Sequence, residues 1–213
     1  MRDTEDEDGL RRRVRAGERD AFAELYERYA RTVYNHALRL TGDWAAAEEV
    51  MSETFLAAWR VRQRVEPDGG SLRPWLLGIA THKAHNANRG RGRRLAFLAR
   101  QPEPRAVADF AQETVGRLDD ARRLAAVHAA LGRLRRHERE VLVLCVWEGL
   151  DYGQAAEALG VKVGTVRSRL SRARARLGRL SEEEAARTEP RRGRGEGTGR
   201  AVFAALPVRE ETR

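Results

Sequence analysis

The seventeen residues GTVRSRLSRARARLGRL (164–180) hold six arginines and no acid. Guanidinium groups crowded in this way suit one kind of chemistry, the binding of polyanions, because each planar fork meets a phosphate or a base edge through paired hydrogen bonds. The apolar residues of the same stretch, Val166, Leu170, Leu177 and Leu180 with Ala173 between them, recur every three or four positions. That period is helical, so one side is buried while Arg167, Arg169, Arg172, Arg174 and Arg176 occupy the rest of the cylinder.

Just upstream, DYGQAAEALGVKVGTVRSRL (151–170) reads as two short helices joined by a turn at Gly160. Ala155 and Ala156 are small enough to let a second helix cross closely. Leu159, Val161, Val166 and Leu170 fill the space between, and Gly164 and Thr165 suit the start of the second helix. This is the helix-turn-helix pattern, whose second helix lies in the major groove with its first residues at the base edges. On that reading Lys162, Thr165, Arg167, Ser168 and Arg169 face DNA, and Arg172 and Arg174 reach phosphates. The alternative is a helical hairpin with a solvated charged face.

A second stretch, RPWLLGIATHKAHNANRGRGRR (73–94), begins apolar and ends basic. It presents His82, Lys83, Asn86, Asn88 and Arg89, amide and basic groups that suit unpaired bases. A helix end whose cations complement the macrodipole accounts for them equally well. Trp59 and Trp75 read as core. His82 and His85 have a conceivable ligand spacing but no third ligand nearby, so no metal is expected. Glu48/Glu49 and Asp119/Asp120 read as surface charges. With no nucleophile elbow, phosphate loop or zinc motif, no catalytic residue and no cofactor are expected.

The elements that must position these groups are helices. Glycine is scarce through 18–66, proline is absent from 18–66 and 121–180, and alternating β-branched runs are almost absent, so the fold class is all-α. A first helix starts at Asp20 as its cap and runs to Leu40, Gly42 stops it, and Asp43 caps the next, which carries Ala47, Val50, Met51, Phe55 and Trp59. EPDGGS (66–71) is a loop by composition. The expected organisation is an N-terminal extension over 1–17, a helical domain over 18–98, a linker over 99–120, a helix-turn-helix domain over 121–180 and a disordered tail over 181–213, in which AVFAALPV (201–208) is an apolar exception.

The chain has 41 Lys+Arg against 32 Asp+Glu, a net charge of +9. Only Lys83 and Lys162 are lysines, so 41 − 2 = 39 are arginines. A GC-rich genome explains part of that ratio but not the clustering, and the excess points to an acidic partner, most often nucleic acid. Cys145 is the single cysteine, so no internal disulfide forms. MRDTEDEDGLRRR is acidic and then basic, unlike a secretory signal, and no apolar run reaches membrane-spanning length. A cytoplasmic protein without membrane insertion is expected.

Two helical blocks in this order carry a resemblance. AEEVMSETFLAAW (47–59), WLLGIA (75–80) and DYGQAAEALGVKVGTVRSRLSRAR (151–174) resemble motifs of the bacterial RNA polymerase sigma factors of the extracytoplasmic-function (ECF) group. The resemblance spans about residues 18–180. It implies a sigma-2-like bundle whose Glu48, Glu49, Met51, Ser52, Glu53 and Leu56 dock on the β′ clamp helices of core RNA polymerase. It implies that the 66–71 loop, with Ser71, and the end of the last helix, with His82, Lys83, Asn86 and Arg89, read and open the −10 element. It places a sigma-4-like recognition helix on the −35 element of promoter DNA, with an apolar surface near the β flap, and an anti-sigma factor among the partners. Glu49, Ser52, His82, Asn86 and Arg135 depart from the residues usual in the family. The rival functions are a free-standing helix-turn-helix regulator, which leaves AEEVMSETFLAAW without a role, and a nuclease, for which no acid/base or metal cluster is visible.

Overall fold

A computed structural model describes residues 2–67, 69–98 and 127–188, and every regular element among them is helical. Helix α1 (Arg2–Ala16) ends at Gly17, whose φ of 84° turns the chain at once into α2 (Arg19–Thr41). Gly42 (φ 67°) closes α2 by donating its N–H to the Leu38 carbonyl. Asp43 then caps α3 (Trp44–Val61) by accepting from the Ala46 N–H at 2.8 Å. A short 3-10 turn (Arg62–Arg64) and a loop lead to α4 (Arg73–Leu98). The second block holds α5 (127–132), α6 (Arg136–Leu142), a π-helical turn (Val143–Trp147), α7 (Tyr152–Leu159) and α8 (Val163–Thr188).

One expectation needs correction, and two are refined. Asp20 is not the cap of α2: Glu18 stands at the cap position without a side-chain bond, and Asp20 lies in the first turn, where its charge complements the macrodipole. The extension expected over 1–17 is helical over 2–16, with Leu10 and Val14, one turn apart, buried in the core that holds residues of α2 and the start of α4. Residues 181–188 continue α8, as the helix formers Glu and Ala of SEEEAART permit. The 99–120 linker and the 201–208 apolar segment lie outside the described residues.

Two apolar cores share α4. Leu72, Leu76 and Ala80, each four apart, face Leu10, Leu25, Val33 and Phe55. Leu77 and Ala84 face the other way, joining Ala37, Leu40 and Val50 to Leu131, Leu142, Leu144 and Leu170 of the second block. Four consecutive buried residues, Val141–Leu144, follow from this position. At about 100° per residue they wrap most of the helix, so the junction of α6 and its π turn is surrounded.

The seam between the blocks is built of one close approach and one buried acid. A Cβ on Gly78 of α4 would lie 2.4 Å from the Ala158 carbonyl oxygen of α7, so only glycine lets these helices cross at this distance. Glu148, at the end of the π turn, accepts hydrogen bonds from Arg39 Nη1 at 2.9 Å and Arg73 Nη2 at 3.0 Å, with His36 Nδ1 3.6 Å away. His36 is fully buried. The Thr81 hydroxyl donates to the Leu77 carbonyl, so His36 Nε2 donates to Thr81 Oγ1 at 2.8 Å and its other nitrogen faces Glu148. Burial pushes the Glu148 carboxyl up, but His36, Arg39 and Arg73 outweigh it and hold it below the usual glutamate range.

Candidate nucleic-acid interface

The helix-turn-helix is fixed by its caps. Asp151 accepts from the Gln154 N–H at 2.8 Å while the Asp151 N–H donates to Gln154 Oε1 at 3.1 Å, a reciprocal box that starts α7. Gly160 (φ 61°) ends it in the left-handed region, and the Val161 N–H returns to the Ala156 carbonyl at 3.0 Å. Ala155 and Ala156 are buried in the crossing, as are Val166, Leu170, Ala173 and Leu177 on α8.

That leaves the opposite face of α8 in solvent. Lys162, Arg167, Ser168, Arg172 and Arg174 are exposed, and Thr165 and Arg169 are half-exposed. Gly164 and Thr165 lie just inside the helix, which starts at Val163. Arg167 stacks over the Tyr152 ring with Cζ 5.6 Å from its centroid. Arg172 Nε donates to the Ser168 carbonyl at 3.0 Å, and the Ser168 hydroxyl donates to the Thr165 carbonyl at 3.1 Å. These contacts bend side chains along the helix without covering them. Arg169 leans toward α6, where burial, followed by the field of Arg169, holds His137 below the usual imidazole range. Cys145 sits under this helix, its thiol pushed up to about 11 by burial.

The residues expected at the −10 element do not form one cluster. His82, Asn86 and Arg89, spaced i, i+4, i+7, form one exposed stripe on α4. Lys83 is set aside from it and donates to Glu53 Oε2 at 2.6 Å. Asn88 donates to the Leu40 carbonyl at 3.0 Å and is structural. Ser71 lies at the other end of α4, about 16 Å from His82 along the axis at 1.5 Å per residue. Its hydroxyl is in contact with Tyr29 Oη at 3.1 Å and accepts from the Arg73 N–H at 3.2 Å.

Glu48, Glu49, Ser52, Glu53 and Leu56 share the exposed side of α3, and Met51 turns half-inward onto the first core. Leu56 is 53 % exposed, and Tyr26 of α2, packed on Phe55 at 4.8 Å between ring centroids, is 46 % exposed. Acids interleaved with apolar side chains on one helix face make a surface suited to another protein. A cleft of about 600 Å³ lined by Asp43, Glu49, Glu53, Lys83 and Asn86 joins this face to the α4 stripe. Trp59 meets Phe22 edge-to-face at 5.0 Å and lies under Arg62, half-buried and outside both apolar cores, so it is not the core residue expected, whereas Trp75 packs on the first core.

Residues 25–94 match the family model for sigma-70 region 2, and residues 124–177 that for sigma-70, region 4. The chain belongs to the ECF sigma factors. It is 32 % identical over 171 residues to the ECF RNA polymerase sigma factor SigK of Mycobacterium sp. (strain KMS), covering 78 % of this chain and 86 % of that one. It is 37 % identical over 158 residues to SigE of Mycolicibacterium smegmatis (strain ATCC 700084 / mc(2)155), covering 74 % of this chain but only 60 % of the relative's length. Among solved structures, the sigma factor RpoE in complex with the anti-sigma factor NepR from Bartonella quintana superposes with a TM-score of 0.56 at 27 % identity, covering 76 % and 96 % of the two chains. The match places α2–α4 of this sigma factor in region 2 and α6–α8 in region 4. Helix α1 precedes both matched ranges, and neither its packing nor the Glu148 contacts had a signal in the motifs. The clue to α1 was the pair Leu10 and Val14 at helical spacing, interleaved with Arg11 and Arg15.

Proposed function

We propose that this chain binds core RNA polymerase, recognises the −35 and −10 elements of a promoter and assists duplex opening, with no bond chemistry of its own. The observation that carries this reading is the pairing, in one chain, of a helix-turn-helix with an open arginine face and a helix α3 whose open face is acidic and apolar. Residues 18–98 act as the sigma-2 domain, 99–120 as tether, 121–180 as the sigma-4 domain and 181–213 as a tail.

Lys162, Thr165, Arg167, Ser168 and Arg169 contact −35 bases, and Arg172 and Arg174 contact phosphates. Glu48, Glu49, Met51, Ser52, Glu53 and Leu56 meet the β′ clamp helices. The stripe of His82, Asn86 and Arg89, with Lys83 beside it and the 66–71 loop including Ser71 at the far end, takes the −10 element. Capturing unstacked bases offsets the cost of opening the duplex. Each DNA surface is small, and docking both on polymerase raises their effective concentration for one promoter. The likeness to an anti-sigma-bound RpoE supports a protein of that class as a further partner. Among the described residues no helix is long and apolar enough to cross a membrane, and a factor for polymerase works in the cytoplasm.

Run-off transcription with purified core polymerase on genomic fragments, with and without the chain, tests this. Discrete transcripts that need both components are expected. Specific duplex binding without such transcripts would move the assignment to a free-standing regulator.

A further inference from the structure

We propose that α1 is a brace that sets the 66–71 loop for −10 reading, with Arg11 as its positioning residue. The proposal rests on the assignment of that loop to the −10 element above. Arg11 is 3 % exposed, and its donors go to main-chain carbonyls. Nε donates to Glu66 O at 2.5 Å, and Nη1 donates to Gly70 O at 3.1 Å and Ser71 O at 3.2 Å. One turn on, Arg15 Nη1 donates to Gln63 O at 2.6 Å and Val65 O at 2.5 Å. One turn back, Asp8 Oδ1 accepts from the Gly70 N–H at 3.2 Å. Both ends of the loop are thus held by side chains that project from one rigid helix.

The loop's composition matches this clamp. A Cβ on Gly69 would lie 2.7 Å from Arg11 Nη2, so a side chain there would displace the guanidinium. Gly70 takes a φ of 66°, which turns its carbonyl and its N–H toward α1 together. Tyr29 Oη donates to Glu7 Oε1 at 2.7 Å and so accepts from the Ser71 hydroxyl, adding a side-chain link from α1 to the loop.

A helix that only needed to cover the core would place a leucine at position 11. Burying a guanidinium carries a desolvation cost that is offset only when its hydrogen bonds are made in one geometry. The return is loop shape, and readout of a base needs its partner held to within about half an ångström. Lysine at position 11 keeps the charge but cannot bridge Glu66 to Gly70 and Ser71 as the fork does.

The test uses the full chain in reconstituted holoenzyme, with promoter sets carrying single-base changes in the −10 or the −35 element. Arg11→Lys and Asp8→Ala are compared with wild type, and Glu66→Ala serves as the loop's own control. Loss of one charge-assisted contact is expected to flatten discrimination among −10 variants by about tenfold, with −35 discrimination and core affinity unchanged. If Arg11→Lys does not fold, the half-buried Asp8→Ala carries the same expectation. If Glu66→Ala shifts the −10 ratios while the α1 variants keep the wild-type ratios, the brace is wrong and the loop assignment stands. If none of the three shifts them, the loop assignment fails and the brace with it. An equal loss on every promoter, together with a lower melting temperature, would leave α1 a purely structural helix and also overturn the proposal.

Discussion

Lys83 Nζ on α4 lies 2.6 Å from Glu53 Oε2 on α3, so a residue assigned to DNA and a residue assigned to polymerase hold one another across the 600 Å³ cleft. The Lys83 hydrogen bond holds the Glu53 carboxyl below the usual range. Reversing the charge puts two ammonium groups together and removes an acid from the open face of α3. Glu53→Lys is expected to weaken core-polymerase binding about tenfold, as like-charge juxtaposition does at interfaces, with only a small fall in the thermal melt from the lost surface pair. A fluorescence titration against labelled core measures it, and wild-type affinity would remove this face of α3 from the interface.

On α8 the arginines divide by position. Arg169→Ala is expected to reduce discrimination at one −35 position by roughly 1–3 kcal/mol. Arg172→Ala should instead weaken all promoters alike and lower the slope of log affinity against log salt by about one. Competition binding over a set of −35 variants at several salt concentrations separates the two behaviours. Unchanged discrimination in Arg169→Ala would reassign that residue to the α6 contact near His137.

Gly78 reports on the seam. Gly78→Val must push α7 away from α4, because the new Cβ would start 2.4 Å from Ala158 O. Overpacking of this kind costs about 1–3 kcal/mol. A larger radius of gyration in solution scattering is expected, with helix content retained. A scattering curve identical to wild type would mean that the two blocks do not rest on one another in solution.

Glu148 makes the seam sensitive to acid. Its carboxyl is held below the glutamate value of 4.5, so its contribution is full above that pH and is lost as pH falls through the lower, native value. The seam should therefore hold at neutral pH and loosen below about 4.5. Glu148→Gln should loosen it at neutral pH, by roughly 1–3 kcal/mol for the charge-assisted bonds lost, and should flatten the acid response. Distance measurements between labels on α3 and α8 across a pH series would reveal either result, and a pH response surviving in Glu148→Gln would place its origin elsewhere.

Legibility in the sequence followed locality. The Gly42 stop, the Asp43 cap, the Gly160 turn and the apolar stripe of α8 were all readable, because each is decided within one helical turn of its own residues. The exposed arginine face followed from the same stripe. What could not be read depends on contacts between distant parts of the chain. Nothing around His36 or Glu148 marks them as neighbours, since Arg39 and Glu148 stand 109 positions apart. Nothing in the EPDGGS loop marks Ser71 as a partner of Tyr29, 42 positions earlier, which its hydroxyl contacts. Helix α1 was obscured by its charge: among its described residues Leu10 and Val14 are the only apolar ones that bury, beside the buried Arg11, and the acids and arginines around them look like a solvated surface until their partners in the loop are seen.

The seam has a consequence for dosage. Any partner that must part α4 from α7 works against the contacts at Gly78 and Glu148, and its apparent affinity falls by the fraction of chains already parted. A partner that seats on the two blocks as they stand faces no such discount. Between two such competitors of equal intrinsic strength, the one that accepts the folded-together chain wins at low abundance. The other gains ground only as its own supply rises, so Gly78 and Glu148 together help to set the concentration at which this chain changes hands.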